Sequence, residues 1–312
     1  MSASQSFSSP LPTRDGIAPS YIWIPEGQWP TLIAFLVSHF PVVAEAIWLS
    51  RMEKKEVVDQ AGNVLNERSV VKRGMCIFYY REIEHETPIP FEARVLHQDE
   101  HIIVVDKPHF LPVTPGGRFL RETLLVRLKK QTGLAHLTPI HRLDRETAGV
   151  MLFSHQPLSR GAYQSLFQQR VVRKIYHAVA PSLSHLVFPL VHRSRMEEGA
   201  RFLVMQESAG APNSETHIEL IKDYGRLSLY RLSPLTGKKH QLRLHMASLG
   251  APILNDGFYP NVLPCKGDDF SAPLQLLAKS ISFIDPITGE MRQFRSEQEL
   301  AVPDFGSCSN IV

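Results

Sequence analysis

The pattern of apolar and polar residues predicts short helices and short strands in the first third of the chain. Apolar positions recur at helical spacing on either side of Pro41, which predicts two helices, 30–38 and 42–52, because proline ends the first. Brief extended runs rich in β-branched and aromatic residues follow. These elements predict a small α/β module over residues 25–84, after a serine-rich leader, 1–20, that we expect to be disordered.

Longer elements predict a second, larger domain over residues 88–300, followed by a short tail, 301–312. Several of its strands are joined by tight turns, as in the hairpin predicted around Gly225. Hairpins mixed with isolated helices favour an α+β fold with a mixed, mostly antiparallel sheet over a regular βαβ repeat. The predicted strands are 102–105, 150–153, 171–180, 216–221, 227–232 and 274–284, and the predicted helices are 123–131, 158–169 and 240–249.

Composition and charge narrow the function only slightly. The net charge of +3 permits a polyanionic partner without requiring one. The three cysteines are widely separated and form neither a disulfide framework nor a CxxC metal site, so a reducing cytoplasm fits best. The longest apolar stretch, 31–49, contains His39, Pro41 and Glu45, and we therefore expect no membrane span.

Several well-known catalytic motifs are missing from the sequence. There is no GxxxxGK phosphate loop, no HExxH, no GxSxG and no GxGxxG after a strand, which excludes most nucleotide-dependent and zinc-dependent chemistry. His136, His141 and His155 are close in sequence, but no cysteine or carboxylate completes a familiar ligand spacing. We therefore expect no metal site.

The segment HRLDRETAGV, 141–150, sets Asp144 between Arg142 and Arg145 just before an apolar strand. The two arginines would keep the carboxylate ionised, and such a carboxylate can act as a nucleophile or a base without a cofactor. Spacing alone favours a structural interpretation, in which Asp144 caps the turn. Tyr176, on an alternating strand, would likewise ordinarily be a core residue.

These features fall in the order seen in one family, and the chain resembles the RluA family of RNA pseudouridine synthases over residues 88–293. Phe110 stands where the family usually has glycine, Asn255 also replaces a glycine, and Leu277 replaces a histidine. The matching segments are DKP at 106–108, HRLDxxTxG at 141–149, a basic-x-Tyr-x-Ala strand at 174–178, TGKKHQLRLH at 236–245 and GAPILNDGFY at 250–259.

The resemblance implies an isomerase that converts uridine to pseudouridine in RNA without a cofactor. It implies that Asp144 is the essential carboxylate, which attacks the sugar or removes its 2′ proton, and that Arg243 pairs with it. Tyr176 would stack on the uracil and relay the C5 proton. Arg142 would fill the space left by the extruded nucleotide, and Leu276 would lie against the base. The other expected RNA contacts are His141, Arg145, Arg173, Lys174, Lys238, Lys239, His240 and Gln241.

The resemblance also implies a pseudouridine-synthase fold for the second domain, and the N-terminal module resembles an S-four-like RNA-binding domain. The expected substrate is a stem-loop of large-subunit rRNA, with tRNA as the alternative, and the expected enzyme is a cytoplasmic monomer. Two other classes stay open. A silent RNA-binding or ribosome-assembly protein need not keep Asp144, Tyr176 and Arg243, and a hydrolase of a small metabolite would not need the basic loop.

Overall fold

The structure is a computed structural model that describes residues 9–83, 85–199, 204–264 and 267–302. The chain forms two compact units. The first unit comprises Met1–Glu86 and Pro115–Arg121, and the second comprises Thr87–Thr114 and Glu122–Val312.

In its described residues, the first unit contains two helices and a three-stranded antiparallel sheet. Its elements are β1 (Ser20–Trp23), α1 (Leu32–His39), α2 (Glu45–Glu53), β2 (Val57–Asp59) and β3 (Cys76–Tyr79). The strand order is β1-β3-β2, with both pairs antiparallel. The two helices on either side of Pro41 agree with the prediction, and their apolar residues pack on the sheet in one core cluster. The sheet includes β1, so the unit begins before the predicted module start at residue 25.

The prediction of a disordered leader over residues 1–20 is wrong for residues 9–20, whereas the first eight residues lie outside the described part of the chain. The hydroxyl of Tyr80 donates a hydrogen bond to the carbonyl of Pro12 at 2.7 Å. Leu11 packs on a buried cluster of the first unit. The serine-rich composition that favours disorder ends at about residue 9, and the residues after it have buried partners.

The part of the second unit that the structure describes is built on one 11-stranded sheet. Its strands are β4 (Arg94–Gln98), β5 (Ile102–Lys107), β6 (Thr138–Pro139), β7 (Ala148–Ser154), β8 (Arg173–Pro181), β9 (Leu190–Glu198), β10 (Met205–Ser208), β11 (Ser214–Asp223), β12 (Leu227–Pro234), β13 (Leu276–Ile284) and β14 (Met291–Arg295). Its helices are α3 (Leu124–Thr132), α4 (Pro157–Gln168) and α5 (Gln241–Ser248).

The strand order is β10-β9-β11-β12-β8-β13-β7-β5-β4, with β14 beside β13 and β6 beside β7. Among the described residues, β7 and β13 run parallel and the other neighbours run antiparallel. The predicted α+β fold with a mixed, mostly antiparallel sheet is therefore confirmed. No helix in the described ranges combines the length and the apolar content that crossing a bilayer requires.

Local sequence accounts for the ends of α3. The hydroxyl of Thr123 accepts a hydrogen bond from the backbone N–H of Val126 at 3.4 Å and so caps the first turn. Gly133 follows the helix with φ 71°, in the left-handed region that favours glycine, and its N–H donates to the carbonyl of Lys129. Both ends lie where the sequence predicts them.

The helix α5 packs its apolar side on the centre of the sheet. Leu242 and Met246 lie in one buried cluster with Ala178 of β8 and Leu276 of β13. This packing sets the beginning of α5 beside β8 and β13, and the loop before α5 therefore lies near the turn that precedes β7.

Candidate active site

A pocket of about 180 Å³ lies where the turn before β7, the strands β8 and β13, and the loop before α5 meet. It brings together most of the residues predicted from the sequence, although these are spread over more than 130 positions along the chain. The predicted site residues that line it are Arg142, Asp144, Lys174, Tyr176, Lys238, Lys239, His240, Gln241, Arg243 and Leu276.

The carboxylate of Asp144 faces a guanidinium from a distant helix. Its Oδ2 lies 3.4 Å from Nη1 of Arg243 and 3.8 Å from Nε2 of His240, and the side chain is 22% exposed. Within the described residues, no backbone N–H of the turn donates to this carboxylate, so the capping interpretation has no support. The carboxylate is instead open to the pocket.

Within the described residues, the guanidinium that faces the Asp144 carboxylate is that of Arg243 and not that of the flanking Arg142 or Arg145. Nε of Arg145 donates to the carbonyl of Phe110 at 3.1 Å, and Arg142 is exposed and forms no ion pair with Asp144 within the described residues. The positive charge beside Asp144 comes from Arg243, as the resemblance implies.

Arg243 is itself held by a second carboxylate, that of Asp256. Nε and Nη2 of Arg243 donate to the two oxygens of Asp256 at 2.7 and 2.6 Å, and the two side chains are 2% and 0% exposed. Such a bidentate pair fixes the plane of the guanidinium. Oδ1 of Asp256 also accepts from the backbone N–H groups of Phe258 and Tyr259. Sequence reasoning missed this role, although Asp256 stands in one of the matching segments.

The turn that carries Asp144 is fastened by Lys107 at the end of β5. Its ammonium group is fully buried and donates to the carbonyls of Pro108, Leu111 and Arg145 at 3.0, 2.9 and 3.0 Å. Burial lowers the pKa of Lys107 to about 7. The sequence marks Lys107 only as part of a matching segment, and the structure gives it the function of positioning this turn.

The turn also requires Gly149 where β7 meets β13. Gly149 has φ 112°, and a Cβ atom there would lie 2.3 Å from the carbonyl oxygen of Ala278 on β13. A side chain would therefore push apart the parallel pair that places the turn.

Replacing Lys107 by methionine should destabilise the protein at pH 7 by about 3 kcal/mol or more, because three buried carbonyls lose their donor. The wild type has an additional pH signature. In the folded protein, burial holds the pKa of Lys107 below its ordinary value of 10.5. Between about pH 7 and 10.5 the unfolded chain therefore binds more protons than the folded protein, and the free energy of unfolding rises with pH. Urea denaturation at several pH values should show that the free energy of unfolding rises with pH in the wild type and that this rise is absent in Lys107→Met.

The matched control is Lys130→Met, because Lys130 is exposed on α3. It should leave both the stability and the pH dependence unchanged. A Lys107→Met protein as stable as this control would contradict the positioning function.

Tyr176 and Lys174 lie on the face of β8 that lines the pocket. Burial raises the pKa of the Tyr176 phenol, and the Asp144 carboxylate raises it further, so the phenol is protonated at neutral pH. Nζ of Lys174 lies 3.4 Å from the carbonyl of Thr236 in the loop before α5. The strand thus offers a neutral proton donor and a cation to the same pocket.

Gln241 organises the basic loop before α5. Its Oε1 accepts from the hydroxyl of Thr236 at 2.7 Å and from the backbone N–H of Lys238 at 3.1 Å. Its Nε2 donates to the carbonyl of Glu215 and to the hydroxyl of Thr216. The amide is 4% exposed and fully used within the protein, so the structure does not support its predicted RNA contact.

His240 is a neutral member of the pocket wall. It has φ 55°, in the left-handed region, and its Nδ1 lies 3.1 Å from the hydroxyl of Tyr259. Its ring stacks on Phe258 at 5.4 Å. Burial lowers the pKa of His240 to about 4, so this ring carries no charge toward RNA at neutral pH.

Three of the predicted RNA contacts do not line this pocket: His141, Arg145 and Arg173. Nε2 of His141 accepts from the backbone N–H of Leu152 at 3.1 Å, and its ring stacks on Phe167. Arg173 alternates with Lys174 on β8, so it lies on the other face of the strand. Nε of Arg145 donates to the carbonyl of Phe110, 35 positions earlier in the chain. The structure therefore does not support RNA contacts from these residues in the pocket.

One group of side chains in the described ranges has the composition of a metal site, namely His192, Glu207 and His245, whose ligand atoms lie within 4.8 Å of one another. Nε2 of His192 bonds to Glu207 at 2.8 Å. Both ring nitrogens of His245 have hydroxyl partners, among them Ser214 and Thr216. The ring nitrogens of His245 and the His192–Glu207 pair thus already have hydrogen-bond partners within the protein, as in a structural hydrogen-bond network.

Comparisons with known proteins identify a family model and relatives similar to this chain. A family model described as RNA pseudouridylate synthase matches residues 101–248. The dual-specificity RNA pseudouridine synthase RluA of Pasteurella multocida (strain Pm70) is 32% identical over 227 residues, which cover 68% of this chain and 96% of the relative. The mitochondrial tRNA pseudouridine(32) synthase of Saccharomyces cerevisiae is 30% identical over 198 residues, 62% of this chain and 43% of that protein.

A solved structure supports the fold. The human RNA pseudouridylate synthase domain containing 1 has a TM-score of 0.56 and 20% identity, with 69% of this chain and 86% of that chain covered. A relative above 30% identity is thus matched over nearly its whole length, and the motif residues meet in one pocket. The chain belongs to the RluA family of RNA pseudouridine synthases, isomerases that convert uridine in RNA to pseudouridine.

Proposed function

We propose that the protein isomerises specific uridines in structured RNA with Asp144 as the essential carboxylate. One observation carries the proposal: a partly exposed carboxylate is faced by the buried Arg243 in the same pocket as the neutral phenol of Tyr176. Large-subunit rRNA is the proposed substrate, and tRNA is the alternative. One of the two relatives is named for dual specificity and the other for position 32 of tRNA.

The proposed reaction begins with extrusion of the target nucleotide, because C1′ and both faces of the base are inaccessible inside a stacked helix. Asp144 then attacks C1′ or removes the 2′ proton, and the N1–C1′ bond breaks. The uracil turns and C5 bonds to C1′, which breaks the Asp144–C1′ bond on the first route and is accompanied by return of the proton to C2′ on the second. The C5 proton then leaves as N1 gains one, so atoms balance without a cofactor. Arg142, exposed at the pocket, is the proposed wedge in the RNA, and Leu276 is proposed to lie against the base.

Cations around the pocket are the proposed phosphate contacts. Lys238 and Lys239 are exposed in the basic loop, and Lys174 lies beside them. Binding through phosphates should weaken steeply with added salt, because each contact releases counterions. We propose further that the first unit is a divergent S-four-like module that contacts the same RNA.

The test is tritium release from RNA labelled at C5 of uridine, because isomerisation replaces the C5–H bond with a C5–C1′ bond. The wild type should release tritium from total cellular RNA of a strain lacking the protein. Absence of release from every RNA pool, with retained RNA binding, would favour the silent RNA-binding protein. Mapping pseudouridines in cells with and without the protein would then decide between rRNA and tRNA.

Replacing Tyr176 by phenylalanine should lower the rate of tritium release by about 10²-fold or more, since the phenol is the proposed proton relay and a positioned acid–base group contributes at least this factor. The ring that stacks on the base remains, so KM should change little. Steady-state kinetics on labelled RNA would measure both. Tyr224→Phe is the matched control, because Tyr224 lies exposed in the hairpin turn after β11. Equal kcat for the two variants would exclude the relay.

A further inference from the structure

A second cavity, of about 420 Å³, adjoins the catalytic pocket. The two cavities share Arg142, Lys174, Tyr176, Gly237 and Lys238. We call the second cavity the flanking cleft. Its remaining walls are formed by Ile140, His141, Phe167, Gln168, Arg170 and Leu235.

The flanking cleft is lined by cations without a matching acid. Four cationic side chains and no carboxylate line it: Arg142, Arg170, Lys174 and Lys238. None of the four forms an ion pair within the described ranges, whereas arginines on nearby strands, such as Arg193 and Arg231, pair with glutamates. Unpaired cations held together repel one another, and a bound phosphate would remove this cost.

The position of Arg170 reinforces this point. Its backbone N–H donates to the carbonyl of Phe167 at the end of α4, and its φ of 60° places it in the left-handed region. Burial lowers the pKa of Lys174, and the nearby charge of Arg170 lowers it further. An anion near these two groups would offset the repulsion between them.

The rest of the cleft suits a nucleobase. Phe167 and Leu235 give it apolar walls, and Leu235 is 51% exposed although it is a large apolar residue in a basic loop. Gln168 is exposed at the end of α4 and carries an amide that can both donate and accept hydrogen bonds. Unpaired RNA bases are recognised by this combination of stacking surface and polar edge contacts.

We propose that the flanking cleft binds the nucleotide next to the target uridine, with its phosphate on Arg170 and Lys174 and its base against Leu235. This inference rests on the proposed function, because the catalytic pocket must hold the uridine. It makes Arg170 and Leu235 substrate-binding residues and Gln168 the residue that reads the neighbouring base. The enzyme thereby senses a sequence of at least two nucleotides.

Arg170→Gln should raise the apparent KM for C5-tritiated total RNA by about tenfold and leave kcat unchanged. The dependence of log KM on log salt should lose about 0.7 in slope, the value expected for one phosphate contact with single-stranded RNA. Arg295→Gln makes the same exchange at an exposed position on β14 and should change neither quantity. A merely structural function for Arg170 would not alter the salt slope.

Leu235→Ser should also raise KM, but it should leave the dependence of log KM on log salt unchanged. Its matched control is Leu158→Ser, because Leu158 is 94% exposed on α4. Gln168→Ala should relax the preference for the neighbouring base, which pseudouridine mapping on a pool of randomised stem-loops would reveal. An unchanged KM in both Arg170→Gln and Leu235→Ser would contradict nucleotide binding in the flanking cleft. An unchanged preference for the neighbouring base in Gln168→Ala would contradict the proposal that Gln168 reads this base.

The two proposals fail in different ways. If the wild type releases no tritium, the proposed function is wrong, and the cleft is then tested by filter binding of the same RNA over a salt series. If the wild type is active but Arg170→Gln has the same KM and salt slope as Arg295→Gln, the proposed function stands and only nucleotide binding in the flanking cleft is contradicted.

Discussion

Replacing Asp144 by asparagine should abolish tritium release, with kcat lowered by a factor on the order of 10⁴ or more, as when other enzymes lose an essential nucleophile or base. The amide keeps the shape of the side chain but neither attacks C1′ nor removes a proton. Both routes open to Asp144 require the carboxylate, so the prediction holds for either. Steady-state and single-turnover release from C5-tritiated RNA would measure the loss.

The fold should tolerate this change. Asp144 is 22% exposed, and Arg243 keeps its bidentate pair with Asp256 when the Asp144 charge is lost. RNA affinity measured by filter binding should therefore stay close to that of the wild type. Asp15→Asn, at an exposed position of the first unit, is the matched control and should remain active. Activity of Asp144→Asn above about one per cent would remove Asp144 from the essential position.

Replacing Asp256 by asparagine should be the most damaging change outside the reacting groups. Arg243 is 2% exposed and would lose the carboxylate charge that compensates its guanidinium. The amide N–H group of the introduced asparagine would also face the N–H donors of Arg243, which now bond to the two oxygens of Asp256. Removing one partner of a buried ion pair typically costs about 3–5 kcal/mol. Urea denaturation should show this loss, and tritium release at a temperature where the variant is folded should fall by about 10²-fold, because Arg243 no longer orients Asp144.

A double variant separates the two effects. Adding Arg243→Met to Asp256→Asn removes the uncompensated charge, and the amide oxygen of the introduced asparagine can still accept from the backbone N–H groups of Phe258 and Tyr259. The double variant should regain part of the lost stability and none of the activity. If Asp256→Asn were as stable and as active as the wild type, the buried pair would have no function in positioning Arg243.

The elements with strong local signals could be predicted from the sequence. Thr123 and Gly133 mark the ends of α3, and the apolar alternation around Gly225 predicts the hairpin of β11 and β12. The strands β9 and β10 were missed. They are rich in charged and polar residues, as in Leu190–Glu198, and they exist because β11 offers β9 an unpaired edge and β9 does the same for β10.

In the candidate site, too, some features could be predicted from the sequence and others depend on the tertiary structure. The sequence singled out Asp144 because it lies in an unusual turn, and the family resemblance supplied Tyr176 and Arg243. It also counted Gln241 and His141 as RNA contacts, since they stand within the same motifs. Only the structure shows that the amide of Gln241 and Nε2 of His141 already hydrogen-bond within the protein.

By itself the sequence determined the family, the α+β class, and the side chain that can supply a carboxylate for the reaction. The tertiary structure decided which charges meet: Arg243, 99 positions from Asp144, faces it, Asp256 holds Arg243, and Lys107 fastens the turn. The physical reason is that these contacts depend on strand order and register, above all on the parallel pairing of β7 with β13. Register follows from packing of the whole sheet, which no local pattern of residues encodes.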